Sequence, residues 1–253
     1  MRCILEAMLT PTLISENLNE EGIAQEDQIN QLMELSLSSL GMRNFDESEK
    51  YLKQAIKICK CATLYNNLGV IYLVNQSYSK AYQAFLNALD VDKHSIEAFY
   101  NLGLLMYYGG KYDTAILLFQ DIIKKEGINP LMLINAHNDL GCAYYRKKDF
   151  ESAKKSFETV LALNEKFDKA HVNIGNILCS QEKHDESIKK YNAAIKINSE
   201  CAVAYNGIGV AYSEKKDLKK ADEFFEKSLK SKEYCRAAEI NKIILKKYRE
   251  KAE

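Results

Sequence analysis

Seven cysteines and four histidines are the residues of this 253-residue chain whose types suit metal or nucleophilic chemistry. Their spacing decides what they can do. Cys59 and Cys61 are separated by one residue, and Cys3, Cys142, Cys179, Cys201 and Cys235 are scattered. A structural zinc takes four ligands, and no HExxH, paired CxxC or His–Cys cluster supplies them. His137, His171 and His184 fall at positions where helices pack, and His94 falls in a turn. Cys142 and Cys179 sit on adjacent helices of the pattern, and two thiols do not make a metal centre. Phosphate loops of the form GxxxxGK(S/T), a GxGxxG after a strand and a GxSxG elbow are absent from the sequence. The expectation is a protein without catalytic residues, cofactor or metal.

A different chemistry is offered by a column of amides and one acid, Asn67, Asn101, Asp139 and Asn173. Amides both donate and accept, so such a column suits the backbone of an extended peptide. The elements that position it follow from composition and periodicity. Hydrophobic residues make up 47% and charged residues 28%, enough to bury a sizeable core. Two prolines and eleven glycines leave little material for the turns of an all-β fold. Thirty-five basic residues balance thirty-five acidic ones, so a nucleic-acid surface is not expected. No apolar stretch reaches the roughly 20 residues of a membrane span, and the amino terminus has no convincing signal-peptide pattern. Scattered cysteines in a long apolar chain read as reduced thiols in the cytoplasm.

Repeats organise the whole chain. Gly69, Gly103, Gly141, Gly175 and Gly209 recur at intervals of 34, 38, 34 and 34 residues. Twelve residues after each comes Ala81, Ala115, Ala153, Ser187 or Ala221, and four later Phe85, Phe119, Phe157, Tyr191 or Phe225. A diverged earlier copy places Ser36, Ser48 and Leu52 in the same register. Apolar or small residues at positions 4, 7, 8 and 11 mark one face of a first helix. Tyr78, Ala81, Phe85 and Ala88 mark the inner face of a second. One such hairpin cannot bury its faces alone, so the copies must stack.

The pattern resembles the tetratricopeptide repeat, as in YNNLGVIY from Tyr65 followed by SYSKAYQAFLNAL from Ser77. The tryptophan common at position 4 and the proline common at position 32 of that family are missing. The resemblance implies an all-α, right-handed α-solenoid of about six helical hairpins plus a C-terminal capping helix. The repeats are assigned to 29–61 (diverged), 62–95, 96–133, 134–167, 168–201 and 202–235. Residues 1–28 are an acidic capping segment with six acidic residues and one basic, and 236–253 a capping helix. In that helix Ala237, Ile240, Ile244 and Tyr248 form one stripe. The repeat at 96–133 is four residues longer, near one helical turn. Gly127, Asn129 and Pro130 then suit a helix end, an N-cap and a first helical residue, starting the next helix about a turn early.

In this family first helices line a concave side. Positions 2, 5, 6, 9, 12 and 13 lie away from the packing stripe. They supply the candidate peptide-binding groove Asn67, Tyr100, Asn101, Leu104, Tyr108, Asn138, Asp139, Tyr145, Arg146, Lys169, Asn173 and Asn176. The amide column is similar to the asparagine ladder in the repeat domain of O-linked N-acetylglucosamine transferase. Family members that clamp chaperone tails carry Lys at position 5; here it is Met33, Asn66, Tyr100, Asn138, Val172 or Asn206, so that reading is disfavoured. The expected function is a non-catalytic scaffold holding an extended, largely uncharged peptide of a protein partner. The alternatives are a self-assembling homo-oligomer and an accessory subunit of a larger enzyme or secretion complex.

Overall fold

The computed structural model describes residues 20–233 and 235–250. Every regular element among them is a helix. They fall into two compact units, one running to Lys124 and one starting at Lys125. The first holds α1 (Glu20–Gly41), α2 (Phe45–Ile58), α3 (Ala62–Val74), α4 (Tyr78–Val91), α5 (Ile96–Tyr108) and α6 (Tyr112–Ile123). The second holds α7 (Pro130–Arg146), α8 (Phe150–Leu163), α9 (Asp168–Ser180), α10 (His184–Ile197), α11 (Ala202–Glu214), α12 (Leu218–Lys230) and α13 (Arg236–Glu250). Of the acidic segment expected at 1–28, residues 1–19 lie outside the described residues. From Glu20 onward it belongs to α1, which therefore begins well ahead of residue 29.

Each hairpin turn is built the same way. The residue at position 15 has a left-handed backbone in all six repeats: Arg43 at φ 59°, Gln76 at 58°, Gly110 at 77°, Lys148 at 63°, Glu182 at 61° and Lys216 at 63°. The next residue returns its N–H to a carbonyl five residues back, as in Ser77 to Tyr72 at 2.8 Å and Lys183 to Leu178 at 2.9 Å. This is the Schellman closure, which satisfies carbonyls that the end of a helix leaves open. The same residue is the N-cap of the second helix; Asn44, Asp149 and Asp217 cap with their side chains, onto Glu47, Ser152 and Lys220. One residue thus closes one helix and opens the next.

Inside each hairpin the glycine and aromatic columns meet. A Cβ built on Gly103 or Gly141 would lie 2.7 Å from the ring of Phe119 or Phe157, inside any tolerable contact. Position 8 is therefore empty so that the ring of position 24 can lie against the backbone. The five rings are fully buried. In the first repeat Ser36 and Ser48 replace this contact with hydrogen bonds: their hydroxyls lie 2.9 Å apart, and the Ser48 hydroxyl donates to the Ser36 carbonyl at 2.8 Å. Position 3 is closed as well: Leu64, Ala98, Ala136, Ala170, Ala204 and Ala238 are all 0% exposed, and Ala170 and Ala204 pack against the repeat before their own.

The longer repeat resolves at the start of α7. Gly127 takes φ 71°, Asn129 caps through its side chain onto the Leu131 N–H, and Pro130 opens the helix. α7 has 17 residues, against 13 in α5 and α9.

The terminal helix corrects the stripe read from the sequence. Ala237, Ile240 and Ile244 face outward, while Ala238 and Leu245 are buried. The side chain of Tyr248 lies outside the described residues. Ala238, Asn241 and Leu245 stand at positions 3, 6 and 10 of a repeat beginning at Arg236, so α13 packs in the register of a first helix.

Candidate functional site

The amide column is tied together across repeats. Within the first unit Asn101 Nδ2 donates to Asn66 Oδ1 at 2.8 Å, and both side chains are buried. Within the second, Asn173 Nδ2 donates to Asn138 Oδ1 at 3.3 Å, and Asn241 Nδ2 to Asn206 Oδ1 at 2.9 Å. Each tie joins position 6 of one first helix to position 5 of the first helix before it. It forms where both are asparagine. Asn67 follows a repeat whose position 5 is Met33, which has no amide to offer; its Oδ1 is buried without a hydrogen-bond partner. At Gly207 the column lacks a side chain because the ring of Tyr191 occupies that space, and the Tyr191 hydroxyl donates to Asn176 Oδ1 at 2.8 Å.

This changes the reading of the groove residues. The sequence places Asn67 and Asn101 on an open face; they are 1% and 4% exposed, because the neighbouring first helix covers them. Leu104 is buried too. Asn138, Asp139, Asn173 and Asn176 are half-buried, with Asn138 Nδ2 on Asp139 Oδ1 at 3.0 Å. Tyr100 is half-buried against Phe119, ring centroids 5.9 Å apart. Tyr145 is half-buried against Phe150 at 5.7 Å, its hydroxyl 3.3 Å from Ser180 Oγ. Tyr108, 54% exposed, packs edge-on to Tyr107. Arg146 and Lys169 are exposed. In the second unit a cleft of about 500 Å³ opens between α11, α12 and α13, lined by Val210, Leu218, Phe225, Ile244 and Leu245 among others. The sequence reading missed it, since it arises from α13 packing in repeat register.

Cys142 and Cys179 each meet a side chain of the first helix that follows. Asn173 Nδ2 points at Cys142 Sγ at 3.8 Å, and Cys179 Sγ lies 3.7 Å from Glu214 Oε2. Burial, helped by the Asp139 carboxylate, pushes the Cys142 thiol up to about 12. Burial and Glu214 push the Cys179 thiol up to about 11. Thiols held protonated this way are poor nucleophiles. Burial also lowers His137 and His171, with Lys190 adding to the effect on His171. No helix among the described residues is long and apolar enough to cross a membrane.

Family models described as tetratricopeptide repeat match residues 97–126, 134–167 and 202–240, and one described as TPR repeat matches 175–216. A TPR repeat-containing protein of Methanocaldococcus jannaschii is 24% identical over 81% of this chain and 46% of its own length. The chain thus spans less than half of that relative. Among solved structures, a tetratricopeptide repeat protein from Parabacteroides merdae superposes with a TM-score of 0.72, at 19% identity, over 88% of each chain. YrrB, described as a TPR protein with an unusual peptide-binding site, superposes with a TM-score of 0.52, at 21% identity, over 76% of this chain and 97% of its own.

Proposed function

Because the chain belongs to the tetratricopeptide repeat family, we propose that it is a non-catalytic, cytoplasmic scaffold whose first helices hold an extended segment of a protein partner. One observation carries this reading. At position 13 the first helices of four repeats keep a side chain open to solvent, Tyr108 in the first unit and Arg146, Ser180 and Glu214 in the second. Positions 3 and 10 of the same helices are buried. In the second unit the row carries basic, polar and acidic groups, so it favours a partner of mixed character over a strongly charged one. Tyrosine supplies large contact area at low entropy cost. The amide pairs act here as inter-repeat ties that set the spacing of the row. The peptide-binding description of YrrB supports the same use of the fold.

The test is affinity capture with mass spectrometry on wild type, Tyr108→Ala, Arg146→Ala and Leu117→Ala, the last an exposed residue of the second helix α6. A partner lost from Tyr108→Ala or Arg146→Ala and kept by Leu117→Ala supports the proposal. The reverse pattern removes it.

A second reading, self-association, is favoured by α13, where Ile240, Ile243 and Ile244 are 48%, 57% and 58% exposed on one helix. Sedimentation of wild type beside Ile243→Lys separates the two. A dimer that the lysine dissolves supports self-association, and a monomer in both removes it.

A further inference from the structure

Three donors, two of them five residues apart and the third thirty residues further on, converge in the second unit. Cys179 is in the last turn of α9, His184 is the first residue of α10, and Glu214 is the last of α11. Their ligand atoms all lie within 4.8 Å of one another. Cys179 Sγ is 3.7 Å from Glu214 Oε2, and His184 Nδ1 is 3.3 Å from the same oxygen.

We propose that Cys179 Sγ, His184 Nδ1 and a Glu214 carboxylate oxygen form a three-donor site for zinc, with water in the fourth position.

The two distances to the Glu214 oxygen match edges of a coordination tetrahedron. Zinc bonds of about 2.3 Å to sulfur and about 2.0–2.2 Å to nitrogen and oxygen set a sulfur–oxygen edge of about 3.5 Å and a nitrogen–oxygen edge of about 3.3 Å. The donor set selects the metal class. Magnesium and calcium take oxygen ligands alone, whereas a sulfur, an imidazole and a carboxylate together suit zinc. Two of the donors are held by the hairpin turn itself, where Lys183 N–H bonds the Leu178 carbonyl and Glu182 N–H the Cys179 carbonyl, both at 2.9 Å. Beside them the ion pair of Asp185 with Lys215 holds the end of α11 against the start of α10. A bound dication deprotonates a coordinating thiol, and the released proton goes to solvent. The metal would bridge the hairpin α9–α10 to the first helix that follows it, bracing part of the open row. This is independent of whether that row binds a peptide. The competing account is an imidazole–carboxylate contact with a hydrogen-bonded thiol, and it requires no sulfur–metal bond.

The experiment is a cobalt(II) titration of the full, reduced chain, followed by absorption. The proposal expects saturation at one equivalent, a thiolate-to-cobalt charge-transfer band, visible bands of tetrahedral intensity, and displacement by zinc. Cys179→Ser should abolish the charge-transfer band. Glu214→Gln, at an exposed site that leaves the fold intact, should weaken cobalt binding at least about tenfold. A Cys59→Ser, Cys61→Ser double variant should keep the band. The proposal is overturned if wild type gives no band, if the band survives Cys179→Ser, or if it disappears with Cys59 and Cys61.

Discussion

Gly209 and Ile243 hold position 8 in two consecutive first helices, α11 and α13, in opposite surroundings. A Cβ on Gly209 would strike the Phe225 ring that α12 lays against it. Ile243 has no second helix of its own hairpin beside it among the described residues, and it is 57% exposed. Positions 3 and 10 show no such contrast: Ala238 and Leu245 on α13 are buried as Ala204 and Ala211 are on α11. The two helices therefore separate two demands that the repeat normally superimposes. The glycine serves the partner within the hairpin, and the small residue at position 3 and the amide at position 6 serve the previous repeat.

Four substitutions break or sharpen that contrast. Gly141→Val forces a side chain into the Phe157 ring and should cost about 3 kcal/mol. The fall in the urea midpoint reads it, and an unchanged midpoint would show that the ring yields freely. Asn101→Ala attacks the other demand. It strands the buried Asn66 oxygen and should cost about 2 kcal/mol, measured by the same denaturation. An unchanged midpoint there would return Asn101 to the role of an open groove amide. Lys148→Gly tests the turn that sets both. It removes a left-handed lysine at φ 63° and should stabilise by about 0.5–1 kcal/mol, visible as a raised melting temperature. Ile243→Lys, at the same register position as the glycines, should change stability by less than about 0.5 kcal/mol. A large loss in thermal melting would mean that Ile243 is packed after all.

The glycine and aromatic columns were legible because each demand falls on one residue type at one spacing. The turns were legible only as breaks. Five of the six left-handed positions are Arg, Gln, Lys, Glu and Lys, whose types carry no sign of that backbone. The asparagine column was visible, but helical geometry alone assigns it a face without saying that the neighbouring helix covers it, and the pairing with position 5 came only from the structure. Exposure of Asn67 and Asn101 was misread for that reason. Cys179, His184 and Glu214 escaped a motif search because their separations, five residues and thirty, belong to the repeat and not to a short metal motif. The terminal helix misled because Ile240 and Ile244 are the larger apolar residues, while the small Ala238 and the polar Asn241 do the packing.

The double use of one residue at each hairpin turn bears on where this chain can change length. Asn44, Ser77, Lys111, Asp149, Lys183 and Asp217 each end one helix's closure and begin the next helix. An added residue there would turn the second helix by about 100° and carry its aromatic away from the glycine. The extra residues of the repeat at 96–133 lie elsewhere, before α7, where they lengthen a helix at its free start and leave the Gly141–Phe157 contact untouched. Tags, cleavage sites or inserted loops belong at such starts, and the hairpin turns are the places to leave alone.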